Sequence, residues 1–269
     1  MSSYVIGDVH GCFDELLELL ELISFNSSKD KLIFCGDLIN RGPKSLEVLI
    51  FIKSLGKSAE CVLGNHELYL LALVEGKVVG GGYTLNEILN YHDQCSLINW
   101  LRNKPFLYIH KKKHIITHAG IFPWWSIQKA KEKSKNLRKL MKNDTLYLTF
   151  LEHFFKKEKL VTVPKYISNY VNSAKYFTCM RTCCCKTIEL NMEYKESLGN
   201  IPPGFSAWFN VLNKDIIDYE IIFGHWSSLR GKTFKNNIIA LDTGCVRGGA
   251  LSAYCIETKK IFFIKCPKY

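Results

Sequence analysis

The sequence predicts an α/β fold in a single domain, with functional side chains gathered at the carboxyl ends of the strands of its sheet. Three observations carry this reading. A short apolar run followed by Gly, Asn or Thr beside acid, amide or imidazole residues recurs five times, and helical patterns follow the first three of these units. The 269 residues, 47% hydrophobic and 23% charged, suffice for one large core and exclude a disordered or low-complexity chain.

The elements follow in order. Residues 4–6 precede GDVHG, 32–35 precede GDLINRG, 61–63 precede GNHE, 115–117 precede HAG and 221–223 precede GHW. Apolar runs this short and without alternation are expected of strands buried on both faces. Between them Phe13, Leu16, Leu17, Leu20 and Ile23 recur at helical spacing, as do Leu46, Leu49, Ile50 and the apolar residues up to Leu55. Strand, polar loop and helix in succession put a site at the carboxyl ends of the strands. Residues 128–200 contain no such unit; they are lysine-rich and partly helical, and read as a cap inserted within the domain 1–269. In the tail, 238–241, 251–256 and 261–264 are strand-like segments split by Gly-rich or Lys-rich turns, expected to form an antiparallel part of the core.

The eleven cysteines are odd in number and scattered apart from Cys179 and the triplet Cys183, Cys184 and Cys185, which argues against a disulfide framework. Reduced thiols of a cytoplasmic protein are the expectation, with a zinc knot at 179–185 the sharper alternative, disfavoured because no CxxC pair occurs. No basic leader precedes an apolar core at the start, and no apolar stretch approaches the ~20 residues of a membrane span, so neither export nor a membrane partner is expected.

The strand-end units carry the chemistry. Asp8 and His10, two residues apart, can point to one face, with Gly7 and Gly11 allowing close backbone approach. Asp37 ends the second unit, Asn65 and His66 the third, His118 the fourth and His225 the fifth. Any one of these histidines alone is more simply a satisfied strand-end residue; five coincidences together point to a metal site. Imidazole, carboxylate and amide donors without thiolate suit Mn, Fe, Zn or Co.

The blocks GDVHG, GDLINRG, LGNHE, THAG and FGHW resemble those of the calcineurin-like metallophosphoesterases. Further segments are similar to one branch, the symmetrical dinucleoside tetraphosphatases: GDVHGCFDEL at 7–16, HAGIFPWWSIQKAKE at 118–132, YFTCMRTC at 176–183, YKES at 194–197, FGHWSSLRGK at 223–232 and LDTGCVRGG at 241–249. The likeness covers nearly the whole chain. It implies a β-sandwich flanked by helices, with a mainly helical cap insertion.

The resemblance also implies a two-metal centre, manganese first and Co, Fe or Zn as alternatives. Asp8 and His10 would hold one ion, Asp37 would bridge, and Asn65, His118 and His225 would hold the other. Two ions ~3.5 to 4 Å apart can share a hydroxide that attacks phosphorus in line. His66 would be the general acid, and Arg41, four residues after Asp37, would fork onto phosphate oxygens. Arg181 is the candidate for a second clamp, with Lys195 and Arg230 as further contacts. The implied substrate is diadenosine tetraphosphate or another dinucleoside tetraphosphate, cut to two nucleoside diphosphates.

Three departures and two ambiguities stand out. Protein phosphatases of this superfamily have a second Asp in GD-x-x-D-R-G that pairs with the histidine, and here that position is Asn40. An imidazolium without that carboxylate is less stabilised, which matters most for poor leaving groups, so Asn40 favours phosphoanhydride cleavage over protein dephosphorylation. The branch's TRMR reads Thr178, Cys179, Met180, Arg181, one cation fewer, and its LDTGCxWGG has Arg247 where Trp is expected. The aromatics Phe122, Trp124, Trp125, Trp226 and Tyr83 are as readily packing residues as stacking partners for a base, and Gly80, Gly81 and Gly82 suit a lid or, more simply, a turn.

Net charge is +11, and residues 111–159 hold 13 lysines and arginines against four acids, leaving +2 for the rest of the chain. The excess therefore belongs to a loop and the cap, partly to steer a polyphosphate and otherwise as a solvated lysine face. Two competing readings remain: another phosphoesterase on the same centre, acting on nucleotide-capped RNA 5′ ends or phosphoprotein, and a basic nucleic-acid-binding module without activity.

Overall fold

The computed structural model describes the chain except residues 81, 82, 157–162, 185 and 188 and the side chain of Tyr83. Strands β1 (Ser3–Ile6), β2 (Lys31–Phe34) and β3 (Ala59–Cys61) run parallel, linked by helices α1 (Phe13–Leu22) and α2 (Ser45–Ser54), and helix α3 (Asn65–Val74) leaves β3. Two short helices, α4 (Asn86–Leu89) and α5 (Gln94–Arg102), lead to a hairpin of β4 (Leu107–His110) and β5 (His114–Thr117). Three helices follow, α6 (Ile127–Met141), α7 (Asp144–Phe155) and α8 (Lys165–Thr178), then the small strands β6 (Thr182–Cys184), β7 (Leu190–Asn191) and β8 (Phe205–Ala207). The chain closes with β9 (Glu220–Phe223), β10 (Ile238–Ala240), β11 (Ala250–Cys255) and β12 (Ile261–Lys265).

These strands make a five-stranded sheet in the order β12-β11-β1-β2-β3, a four-stranded sheet in the order β10-β9-β5-β4, and a three-stranded sheet β7-β6-β8. The two larger sheets pack face to face. Val5, Ile33 and Tyr254 from one and Ile116, Ile222 and Ile239 from the other meet in a dry seam, while Tyr4, Ile6, Leu32 and Phe34 point outward into the larger helix-covered core. Both faces of the central strands are thus apolar, which is why their sequences show no alternation.

One expectation is corrected, and one strand was not foreseen. The segment at 238–241 does not join the antiparallel tail: β10 pairs parallel with β9, and only β11 and β12 run antiparallel. A strand needs a partner of matching length more than a particular hand, and β9 offers its open edge to β10. Strand β4 was not anticipated, because three of its four residues are half-exposed and it lacks the apolar run of a doubly buried strand. In residues 128–200 the three helices are joined by β6 and β7, with β8 completing their sheet from outside that stretch.

Helix α6 shows why the cap is basic. Ile127, Ala130, Ser134, Leu137, Leu140 and Met141 are buried at helical spacing, and Lys131, Lys135 and Lys139 are exposed on the opposite face. Its start is fixed by Ser126, whose Oγ accepts from the Lys129 N–H at 3.2 Å. No disulfide links the ten described cysteines. Among the described residues no helix is long and apolar enough to cross a membrane.

Candidate metal centre

Within four residues of the ends of six strands, the backbone delivers one polar side chain each to a common point. Asp8 follows β1, Asp37 follows β2, Asn65 follows β3, His118 follows β5, His225 follows β9 and Asp242 follows β10. The first five are the residues expected from sequence. Asp242 was not singled out, although the apolar segment 238–241 followed by DTG is a sixth copy of the same unit.

Close approach demands glycine at two of these turns. A Cβ on Gly224 would lie 1.9 Å from Asp8 Oδ1, and one on Gly64 would lie 2.2 Å from Asp37 Oδ1. Several site residues occupy the left-handed region that L side chains avoid: His10 (φ 49°), Asp37 (48°), Asn40 (73°), Arg41 (78°) and His225 (65°). Each such conformation costs on the order of 1 kcal/mol or more, and their concentration here marks a functional constraint.

The histidines sort themselves by tautomer. His10 Nδ1 lies 3.2 Å from the Ile39 carbonyl, His118 Nδ1 2.9 Å from the Cys35 carbonyl and His225 Nε2 3.1 Å from the Cys179 carbonyl. A carbonyl only accepts, so each of these nitrogens carries the proton and the other presents a lone pair. Those lone pairs converge: His10 Nε2 is 3.8 Å and His118 Nε2 3.3 Å from Asp37 Oδ2, and His118 Nε2 is 3.1 Å from both Asn65 Oδ1 and His225 Nδ1.

His66 is the exception. Its Nδ1 lies 2.9 Å from Asn40 Nδ2, and the Asn40 amide is oriented by its Oδ1, which accepts from the Arg41 N–H at 2.8 Å and from Thr84 Oγ1 at 3.1 Å. His66 therefore accepts at Nδ1 and carries its proton on Nε2, 3.9 Å from Asp37 Oδ2. It sits among donors as a proton carrier.

Electrostatics point the same way. Burial raises the Asp8 carboxyl well above its usual range, and Asp242 and Asp37 add to the rise. Burial also raises Asp242. Burial works upward on Asp37 too, but the surrounding His118, His66 and His10 outweigh it and hold it well below. His10 is pushed down to about 3 by burial, and His225 well down by burial and the Arg181 charge. Burial works downward on His118 as well, but the Asp37 carboxylate outweighs it and raises it. The lowered His10 and His225 imidazoles and the three buried carboxylates form a site that favours added positive charge. Ligand atoms of Asp37, His118 and His225 lie within 4.8 Å of one another, as do those of His10, Asp37 and His66. An oxygen and nitrogen donor set sharing Asp37 fits divalent cations.

Glu67, absent from the sequence-based set, builds the floor. It is fully buried, its Oε2 accepts from the N–H of Asp37 at 2.8 Å and of Gly64 at 2.7 Å, and its Oε1 accepts from Leu38 N at 2.8 Å. It thereby ties the turn after β2 to the turn after β3.

A cavity of about 100 Å³ opens onto the centre, with Arg41, Arg181, Lys195 and Arg247 among its lining residues. Arg181 is anchored by donating to the His225 carbonyl at 3.1 Å and the Tyr194 carbonyl at 3.4 Å. Arg230 does not line this cavity, in contrast to the expectation that it joins Arg41, Arg181 and Lys195; it ends the turn after Trp226 and faces a neighbouring space. The thiol of Cys179 pairs with Thr178 Oγ1 at 3.4 Å. Phe122 and Trp125 pack with Tyr176, and the buried Trp226 donates its indole N–H to the Glu196 carbonyl at 2.9 Å. These three aromatics are packing residues. Gly81 and Gly82 and the Tyr83 side chain lie outside the described residues, so the lid reading falls on undescribed structure.

Residues 1–226 match the family model of the calcineurin-like phosphoesterases. The chain is 42% identical over 275 residues to a protein of Marinomonas sp. named symmetrical bis(5'-nucleosyl)-tetraphosphatase, covering 99% of this chain and 98% of that one. It is 43% identical to the protein of the same name in Buchnera aphidicola, covering 97% of each. Among solved structures, one described as "a putative diadenosine tetraphosphatase" superposes with a TM-score of 0.67 at 24% identity over 98% of this chain and 93% of the other, a likeness of fold. The strand-end cluster is thus the polar centre of a chain that belongs to the calcineurin-like phosphoesterase family and, within it, to the symmetrical bis(5'-nucleosyl)-tetraphosphatases.

Proposed function

We propose that the protein is a metal-dependent hydrolase that cuts diadenosine tetraphosphate, and other dinucleoside tetraphosphates, symmetrically into two nucleoside diphosphates. The observation that carries this reading is the tautomer split. Three imidazoles turn a ring nitrogen without a carbonyl partner to the centre, and the fourth, His66, turns an N–H to it.

In this reading Asp8, His10 and Asp37 would hold one ion, and Asn65, His118 and His225, together with Asp37, the other. Two divalent ions, manganese in our reading, supply Lewis acidity and a water made nucleophilic at neutral pH. The protein's own residues do the rest. Arg41, Arg181 and Lys195 neutralise phosphate oxygens around the reacting phosphorus and align the chain for in-line attack. His66 directs its Nε2–H at the oxygen that leaves as the P–O bond breaks and stabilises the charge developing there by a hydrogen bond, keeping its proton; the leaving nucleoside diphosphate is a stable anion and departs without full protonation. The neutral Asn40 partner suits that task, because it fixes the donor tautomer without stabilising the imidazolium. Ten described cysteines without a disulfide among them favour the reducing cytoplasm as the working compartment.

The test is incubation of purified, manganese-reconstituted protein with diadenosine tetraphosphate, resolving the products by chromatography. ADP alone is expected. ATP plus AMP would mean asymmetric attack, and no turnover with Mn, Co or Zn would sink the proposal.

A further inference from the structure

The central cavity, about 100 Å³, is far smaller than the several hundred Å³ of an ordinary small-molecule site. It has room for phosphates, and the nucleosides of a dinucleoside tetraphosphate must lie elsewhere. Beside it is a trough of about 710 Å³.

The trough follows from the unequal sheets. One has five strands and the other four, and the exposed inward-facing residues of the edge strand β12 show that this end of the larger sheet is left uncovered. Residues of β12 that would belong to the seam have nothing opposite them: Phe263 is 63% exposed and Ile261 49% exposed. They form an apolar wall, and Ser252 of β11, opposite Phe263 in register, and Thr243, its hydroxyl partner at 2.7 Å, line the trough further in. Phe263 offers a free aromatic face at the edge of a cavity of nucleoside size, the surface on which a base of any identity can stack.

Continuity with the metal centre singles out the occupant. Ser227 and Arg247 line both spaces. The backbone of Arg247 is pinned between them, its N–H donating to the Gly244 carbonyl at 2.9 Å and the residue bridging to Lys268. A second cavity of about 480 Å³ beyond Ser228 and Arg230 shares no lining residue with the centre.

We propose that this trough is the nucleoside subsite, with Arg247 clasping phosphates as they leave the metal centre and Phe263 stacking on the base. The inference rests on the polyphosphate reading of the centre and adds where half of the substrate lies. It also gives Arg247, which stands where the branch's tryptophan is expected, a task in phosphate binding.

The experiment is calorimetric titration of the manganese-reconstituted full chain with ADP and, separately, with inorganic pyrophosphate. F263A is expected to weaken ADP by about fivefold or more while moving pyrophosphate less than twofold, and F263W, which keeps a ring, to retain ADP. R247M is expected to weaken both ligands. If F263A leaves ADP unchanged, or weakens ADP and pyrophosphate alike, the subsite is overturned. Neither ligand needs to be hydrolysed, so this result is independent of the chromatographic assay: intact selectivity with no cleavage of the tetraphosphate would sink the activity and spare the subsite.

Discussion

Asn40 donates to His66 across 2.9 Å, and this neutral contact governs which nitrogen of His66 holds the proton. A carboxylate at residue 40 would accept instead, moving the proton to Nδ1 or, by favouring the charged form, protonating both nitrogens. Burial, with the Arg41 charge adding to it and the Asp37 carboxylate opposing, already holds His66 below the ordinary histidine value. The substitution N40D is therefore expected to raise the His66 pKa. The basic limb of kcat/KM for a phosphomonoester with a poor leaving group should move to higher pH, and that activity should rise relative to tetraphosphate cleavage by about tenfold. A ratio of the two activities unchanged in N40D would show that the contact does not set leaving-group preference.

Glu67 carries three backbone N–H bonds on two oxygens, and glutamine can keep only one of those oxygens. Turned to favour the pair from Asp37 and Gly64, E67Q sets its amide against the Leu38 N–H. One buried donor left without a partner costs about 1 to 3 kcal/mol. The expected outcome is a melting temperature lower by about 2 to 4 °C for each kcal/mol lost, together with weaker manganese binding in a metal titration, because the turn that aims Asp37 loosens. An E67Q protein that loses stability but binds manganese normally would show that the tie serves the fold alone.

The basic face of α6 makes a sharper test of charge. Lys131, Lys135 and Lys139 are exposed and none lines the central cavity. At physiological ionic strength charges more than about 8 Å apart are largely screened. The triple substitution to glutamine should leave kcat/KM within about twofold and should not flatten its dependence on salt. A fall of tenfold with a flattened salt dependence would mean that this face steers the substrate.

Much of this was legible because doubly buried strands write themselves as apolar runs and strand-end ligands follow immediately: Asp8, Asp37, His118 and His225 each sit within three residues of a strand. What stayed hidden depended on pairing and depth. Strand β10 was visible, yet its parallel pairing with β9 is set by tertiary contact, and that pairing is what brings Asp242 to the centre. Glu67 reads in sequence as an ordinary acid at the start of a helix; its role comes from backbone groups thirty residues away. Asn40 was conspicuous by comparison with a family pattern, but the direction of its hydrogen bond required Thr84, an unremarkable residue in the sequence. The trough was illegible, since it arises from two sheets of different width.

Asp242 supplies the last prediction, because it can be altered without removing any of the six donors expected from sequence. It stands with Asp8 and Asp37 among buried carboxylates, and its charge is a principal reason, after burial, that the Asp8 carboxyl is raised. In metal-stripped protein the three repel one another in a medium that screens poorly; with cations bound the same charges become an asset. The substitution D242N keeps an oxygen to accept from the Gly244 N–H, now at 3.1 Å, and deletes one negative charge. Melting of the stripped protein should therefore occur at a higher temperature in D242N than in the wild type, while the rise in melting temperature on adding manganese should be smaller. The opposite order, a stripped D242N protein that melts lower with an undiminished response to manganese, would mean that Asp242 is a structural residue of the turn and takes no part in balancing the charge of the centre.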